Sequence, residues 1–363
     1  MFSQSGPQRY ISDVDAYDQL PSFISDLKVT KVLFLHGTKS LRAAKPYLPN
    51  FGDHVEVTDV FFNGECSYEE IHRVAAIAKE HQVQMVIGLG GGKVLDTAKA
   101  VTTGTHLYLV LIPTLASNCA PWSSVSVHYK ANGEHLDHKI YKETAHLLLI
   151  NPKVILNSPV NYYVAGIADT LAKFYESELM FEALDDDEYT TALSISRQMA
   201  INCKNILLNN SVQAVKDMQA GQLTHTWRTV METIIVTAGT VGGWGGDYAR
   251  STGAHSVHDA LTLFPETVHL LHGIKVGYGI LVQLAIEHHY DDIRNLLPFY
   301  HELNIPTNLE DLGLGDIDDA GITKIAAVSA DPETTMHLIP LDIDTDAVKN
   351  AIYKLEEITA PVK

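Results

Sequence analysis

Four short apolar runs, separated by three helical stretches, constrain this chain more than any other feature. Lys31–His36 (KVLFLH) stops at Gly37, and His54–Phe62 (HVEVTDVFF) is the second run. Val83–Gly88 (VQMVIG) leads into Gly90-Gly91-Gly92-Lys93, and Leu107–Ile112 is ended by Pro113. Runs of this length and apolarity predict buried strands. Between them, Ser40–Leu48, Tyr68–His81 and Val94–Thr103 have helical character. Tyr68–His81 also carries acidic residues in its first turn, where they suit the helix dipole. The resulting β-α-β-α-β-α-β order implies a mostly parallel, Rossmann-like sheet with helices on both faces.

The rhythm then changes twice. In Ser123–Asp137, Val125, Val127 and Tyr129 alternate with polar residues, and Asn132-Gly133 is a strong turn signal, so an antiparallel β-hairpin is expected. One more strand is expected at His146–Ile150. After Pro159 no short run alternates well, whereas Tyr162–Ala183, Thr190–Leu207, Leu223–Val241, Ala254–Leu263, His272–His288 and Asp342–Ile358 all read as helices. A chain of 363 residues suits about two domains at the usual ~150 residues each. The Asn157-Ser158-Pro159 turn is the natural boundary. The expectation is an α/β domain over residues 1–158 and an all-α domain over residues 159–363. Ligand sites favour such domain interfaces and the carboxyl ends of parallel strands.

Composition removes several function classes. The charge is 26 − 44 = −18, which argues against binding nucleic acid or an anionic membrane. Apolar runs such as Leu147–Ile150 are far short of the ~20 residues needed to span a bilayer. Met1–Tyr10 shows no basic segment followed by an apolar one, so a cytoplasmic protein is expected. Cys66, Cys119 and Cys203 form no CxxC pair, which disfavours a disulfide framework and a thiolate zinc site.

Two constellations carry chemistry. Gly88-Leu89-Gly90-Gly91-Gly92-Lys93 follows a strand and opens a helix. Glycines there let the backbone approach an anion closely, and the free N–H groups of the next helix point at it. Lys93 adds a positive charge at the same end. The pattern is neither a complete G-x-G-x-x-G nor a P-loop, and a tight turn without a ligand would read the same way. The second constellation lies in the helical half. Asp169 sits in the apolar stretch Ala165–Ala172, where a carboxylate must be neutral, paired or bound to a cation. His255 and His258 are spaced i, i+3, and His269 and His272 repeat that spacing. Two histidines, one carboxylate and an open position make one type of catalytic zinc site, although most single histidines are surface or packing residues.

These residues resemble the iron-containing (group III) alcohol dehydrogenase superfamily, in its glycerol dehydrogenase branch. The resemblance spans nearly the whole chain. It is carried by Gly90–Lys99, Pro113–Ser117, Ala165–Lys173, and His255-Ser256-Val257-His258 with His272-Gly273. The stretch around Cys119 and the segment Leu271–Gln283 are similar to bacterial hydroxycarboxylate dehydrogenases of this branch. The resemblance implies a dehydroquinate synthase-like fold with NAD or NADP in the cleft between the two domains. Pyrophosphate contacts would fall on Gly91, Gly92 and Lys93. Further cofactor contacts would fall on Asp96, Thr114, Ser117, Ser123, Val125 and Tyr129. The metal ligands would fall on Asp169, His255 and His272. The fourth ligand position of iron-dependent members is Lys173, which cannot ligate while protonated, so zinc is favoured over iron. A homo-oligomer acting on a small-molecule substrate is also implied.

Two departures from the branch bear on specificity. Glycerol dehydrogenases carry a polyol-binding aspartate at the position of Cys119. A thiol cannot accept hydrogen bonds from two hydroxyls as a carboxylate can, nor does it repel a substrate carboxylate. This favours a 2-hydroxy acid and its carbonyl form over glycerol. Many NAD-preferring members carry an aspartate at Gly37, where Gly37-Thr38-Lys39-Ser40 offers hydroxyls and a cation instead, favouring NADPH. The expected activity is metal-assisted hydride transfer, with His258 as a candidate proton relay. A glycerol or polyol dehydrogenase, a lyase of the dehydroquinate synthase type and a non-catalytic nucleotide-binding protein are the alternatives.

Overall fold

A computed structural model describes residues 3–130 and 132–360. The strands are β1 (Tyr10–Ser12), β2 (Lys31–His36), β3 (Glu56–Phe61), β4 (Met85–Gly90), β5 (Tyr108–Pro113), β6 (Val125–Tyr129), β7 (His135–Ile140) and β8 (Leu147–Ile150). The helices among them are α1 (Leu20–Asp26), α2 (Thr38–Ala44), α3 (Tyr68–Glu80) and α4 (Gly92–Thr102). Next come α5 (Pro152–Leu156), α6 (Val160–Tyr175), α7 (Glu178–Glu182), α8 (Thr191–Gln219), α9 (His225–Glu232) and α10 (Ala238–Gly245). The remainder are α11 (Gly253–Leu261), α12 (His272–Ile286), α13 (Tyr290–Leu303), α14 (Asp319–Ser329) and α15 (Thr345–Thr359). No strand follows Ile150 among the described residues, and none of their helices is long and apolar enough to cross a membrane.

Six strands form one sheet in the order β1-β8-β5-β4-β2-β3, and every pairing is parallel. Alternate residues serve two cores. Leu33, Leu35, Val86 and Leu111 face one cluster; Val32, Phe34, Met85, Ile87 and Val110 face the other. This two-sided burial explains why these strands read as continuous apolar runs. The first cluster runs on through Val74 of α3 and Leu95 of α4 into Ile167 of α6, Val257 of α11 and Val276 of α12. The helical half is thereby locked to one face of the sheet. The expected hairpin is β6–β7, antiparallel with a register shift at His128/Tyr129; residue 131, in its loop, lies outside the described residues.

The strand order places the crevice. From β3 the chain crosses over β2 to lay down β4, so the order reverses between β2 and β4. Such a switch point opens a cleft beyond the carboxyl ends of the two strands. The Gly37 turn leaves β2 there, and the glycine-rich turn leaves β4 beside it.

Several elements differ from expectation. The helix expected over Tyr162–Ala183 is two, α6 and α7, because the chain breaks at Glu176-Ser177. The helix expected over Leu223–Val241 is α9 and α10 joined by a π-helical turn, Thr233–Thr237. His269 does not share a helix with His272; it is exposed, and α12 begins at His272 itself.

Candidate metal and cofactor site

Three helices deliver one cluster. Asp169 is on α6, His255 on α11 and His272 at the first position of α12. His255 Nε2 lies 3.5 Å and His272 Nε2 3.2 Å from the same atom, Asp169 Oδ1. The three donor atoms all lie within 4.8 Å of one another. Asp169 is 4% exposed, and its Oδ1 has no hydrogen-bond partner. An orphaned carboxylate oxygen at such depth is costly unless something completes it. Burial opposes its charge, but the two imidazoles hold the carboxyl well below the usual carboxylate range.

The close approach of the helices depends on glycine. A Cβ on Gly273 would lie 1.9 Å from the Ala165 carbonyl oxygen of α6. A Cβ on Gly166 would lie 2.3 Å from the Ala116 carbonyl oxygen. Gly273 therefore lets α12 touch α6 next to Asp169, and Gly166 lets α6 touch the loop after β5.

Each imidazole is set by a second contact. His255 Nδ1 donates to Glu176 Oε2 at 2.7 Å, and the same carboxylate accepts from His255 N at 3.0 Å and Thr252 N at 2.7 Å. Burial disfavours a charged His255, yet Glu176 and Asp169 raise it to about 9, so the pocket favours positive charge. His258 Nδ1 donates to Asp259 Oδ1 at 2.8 Å, which leaves its Nε2 to accept from His272 Nδ1 at 2.9 Å. Burial and the neighbouring His272 push His258 down to about 3, so it is the neutral link this chain requires. With both Nδ1 atoms engaged, both Nε2 atoms face Asp169, and a cation there takes the place of the positive charge that His255 otherwise carries. His258 thus sits behind His272 and orients it.

The donors fit one divalent cation with a coordination position left over. Lys173, one turn after Asp169, is not available to ligate, because its Nζ donates to the Arg250 carbonyl oxygen at 2.5 Å. Glu176→Gln should weaken zinc binding by about 10- to 100-fold, the usual consequence of losing a partner behind a ligating histidine. Competition against a chromophoric chelator measures it; an unchanged affinity would remove Glu176 from this role.

The second half of the site surrounds the start of α4. Its N-cap is Gly91, which has no side chain to cap the first turn, so those N–H groups stay available to an anion. Cβ atoms on Gly91 and Gly92 would lie 2.9 Å from Leu115 Cδ1 and Asn118 Nδ2, so the loop after β5 closes over this turn. Lys93 is paired with Glu65 at 2.5 Å and lies 4.9 Å over the ring of Tyr129. Thr114 is buried, with its N–H on the Gly90 carbonyl, and Ser117 is half-buried in the same loop. Asp96 is buried, paired with Lys99 at 2.8 Å and accepting from Val127 N at 3.2 Å, so its carboxylate fastens β6 to α4. Ser123 Oγ accepts from Val125 N at 3.1 Å. Gly37 is the N-cap of α2, and Ser40 Oγ donates to the Gly37 and Leu89 carbonyls at 3.0 Å each. The Ser40 hydroxyl is therefore occupied, leaving Thr38 and Lys39 exposed at that turn.

Sequence reasoning missed four residues here: Glu65, Lys99, Glu176 and Arg250. Lys99 Nζ donates to the carbonyls of Ala120, Ser123 and Val125 and so staples the segment that holds several candidate contacts. Glu176 stands seven residues after Asp169, a spacing that puts both on one helix face. Glu65 and Arg250 lie in loops and carry no comparable signal.

Known proteins share this arrangement of elements. Residues 7–152 match the family described as iron-containing alcohol dehydrogenase. The chain is 35% identical to hydroxycarboxylate dehydrogenase A of Escherichia coli strain K12, over 98% of this chain and 97% of that protein. It is 34% identical to a glycerol dehydrogenase of Citrobacter freundii, covering 80% and 79% of the two chains. Among solved structures, a probable glycerol dehydrogenase from Sinorhizobium meliloti 1021 superposes with a TM-score of 0.90 at 28% identity, covering all of both chains.

Proposed function

The chain belongs to the iron-containing alcohol dehydrogenase family, and from that premise we propose that it interconverts a small 2-hydroxy acid and the matching 2-oxo acid by hydride exchange with NAD(P). The observation that carries this is the buried, partnerless Asp169 Oδ1 between two imidazoles whose Nε2 atoms face it. A divalent cation held by Asp169, His255 and His272 supplies Lewis acidity toward the substrate oxygen, and the nicotinamide cofactor supplies or takes the hydride.

The chain's own residues do the rest. The uncapped N–H groups of α4 would hold the cofactor pyrophosphate, and Lys93, paired here with Glu65, would add positive charge beside it. Gly166 keeps the loop after β5 against α6, which couples the cofactor wall to the helix bearing Asp169. Asp259 and His258 hold the Nδ1 proton of His272, and Glu176 holds that of His255. Cys119 lines the substrate side as a neutral thiol, because burial pushes its ionisation up. A neutral group there tolerates a carboxylate that an aspartate would repel. Zinc is favoured over iron, since Lys173 is committed to Arg250 and only three donors converge. NADPH is favoured over NADH on the strength of Thr38, Lys39 and the absence of an acidic side chain at Gly37. Assembly as a homo-oligomer is part of the same proposal.

Initial rates test it. Zinc-loaded protein should oxidise NADPH with 2-oxo acids faster than with dihydroxyacetone, and faster than it oxidises NADH. Faster turnover of dihydroxyacetone with NADH would make it a polyol dehydrogenase and return Cys119 and Gly37 to packing roles.

A further inference from the structure

One half-buried arginine beside this site has a buried donor with no partner. Arg250 lies in the turn between α10 and α11, five residues before His255. Its Nε is buried without a hydrogen-bond partner, and its side chain makes no ion pair among the described residues. A charged donor withdrawn from water and left unmatched is unfavourable, and such groups call for an explanation.

The position of the turn is well fixed. Lys173 Nζ holds the Arg250 carbonyl oxygen, and Glu176 holds Thr252 N. Lys173 is on α6 and Glu176 is its C-cap, four and seven residues after Asp169, in line with the helix face that carries the metal-site carboxylate. On its other side the turn meets the helical core. Arg250 Cγ would lie 3.4 Å from a Cβ on Gly242 of α10. Ala249 belongs to the side-chain cluster on which Cys119 packs. The charge of Arg250 is felt first by Asp247, which makes no ion pair with it, and then by Cys119, which lies in turn within reach of Lys173 and Asp169. Guanidinium, thiol and metal-site carboxylate form one neighbourhood.

A guanidinium presents a planar fork of donors that matches a carboxylate with two parallel hydrogen bonds. We propose that Arg250 receives the carboxylate of the 2-oxo or 2-hydroxy acid whose reacting carbon lies at the Asp169–His255–His272 cluster, and so sets the preference for acids over uncharged carbonyls. This rests on the acid substrate class proposed above. In a chain of net charge −18, an anionic substrate needs a local cation; beside Cys119, Lys173 is spent on the Arg250 carbonyl, while the Arg250 side chain has neither hydrogen bond nor ion pair among the described residues.

The test uses pyruvate and hydroxyacetone, which share a three-carbon methyl ketone skeleton and differ in the carboxylate, with zinc- and cofactor-loaded protein. Arg250→Met should lose about 100-fold or more in kcat/KM for pyruvate, mostly through KM, and change less than about threefold for hydroxyacetone. Calorimetry should show a parallel loss of affinity for oxamate, an analogue that is not reduced. Arg250→Lys should recover part of both. Melting temperature and cofactor binding show whether each variant is folded. Equal losses on both substrates, or undiminished oxamate binding, would overturn the role of Arg250 while leaving the acid substrate class standing. A wild-type enzyme that reduces hydroxyacetone but not pyruvate would overturn the acid class itself, and this proposal with it.

Discussion

His272→Ala should bind zinc at least ~10³-fold more weakly and lose at least ~10³ in reduction rate, while melting close to the wild type. The rate loss corresponds to about 4 kcal/mol of transition-state stabilisation, within what Lewis-acid assistance supplies. The small stability change follows from position. His272 is the first residue of α12, and its side chain is 32% exposed, so its removal opens no large cavity. Its loss also leaves His258 Nε2 without a partner, but His258 keeps its bond to Asp259. Atomic absorption on dialysed protein, initial rates and a melting curve check the three parts. A variant that keeps its zinc and its rate would remove His272 from the ligand set.

Gly273→Ala, one residue along, should behave in the opposite way as regards stability. Its new Cβ would lie 1.9 Å from the Ala165 carbonyl oxygen, 2.7 Å from the Ala165 carbonyl carbon and 3.1 Å from Asp169 Cβ. The first two are backbone atoms and cannot rotate away. Helices α6 and α12 must part, at a cost of about 1–3 kcal/mol or more for overpacking of this kind. Because these helices carry Asp169 and His272, metal affinity should fall together with the denaturation midpoint. Urea unfolding of the metal-free proteins isolates the first effect. An unchanged midpoint would mean that the helices are not in the contact described. The two neighbouring variants thus separate the chemistry of the site from the packing that builds it.

Much of this was legible in the sequence, and for definable reasons. The parallel strands announced themselves because both faces are buried, which turns alternation into a continuous apolar run. The glycine turn and Asp169 stood out because each is expensive where it sits, one in chain entropy and the other in desolvation. What stayed hidden was local or depended on tertiary contact. Tyr10–Ser12 is a three-residue strand of half-buried residues, too short to show a period. The break after Glu176 was invisible because Glu176 ends α6 in contact with His255 and Thr252, more than 70 residues away. Ser40 looked like a free hydroxyl beside the cofactor, yet it is spent on the turn that contains it. Arg250 carries no signal in the sequence; only the fold shows its buried Nε without a partner.

The most direct measurement is a metal add-back. Protein stripped with a chelator would be titrated with zinc while NADPH oxidation by a 2-oxo acid is followed. The account predicts a negligible rate without metal, rising linearly and ending at one equivalent per chain. A stripped protein that turns over at the full rate would contradict it.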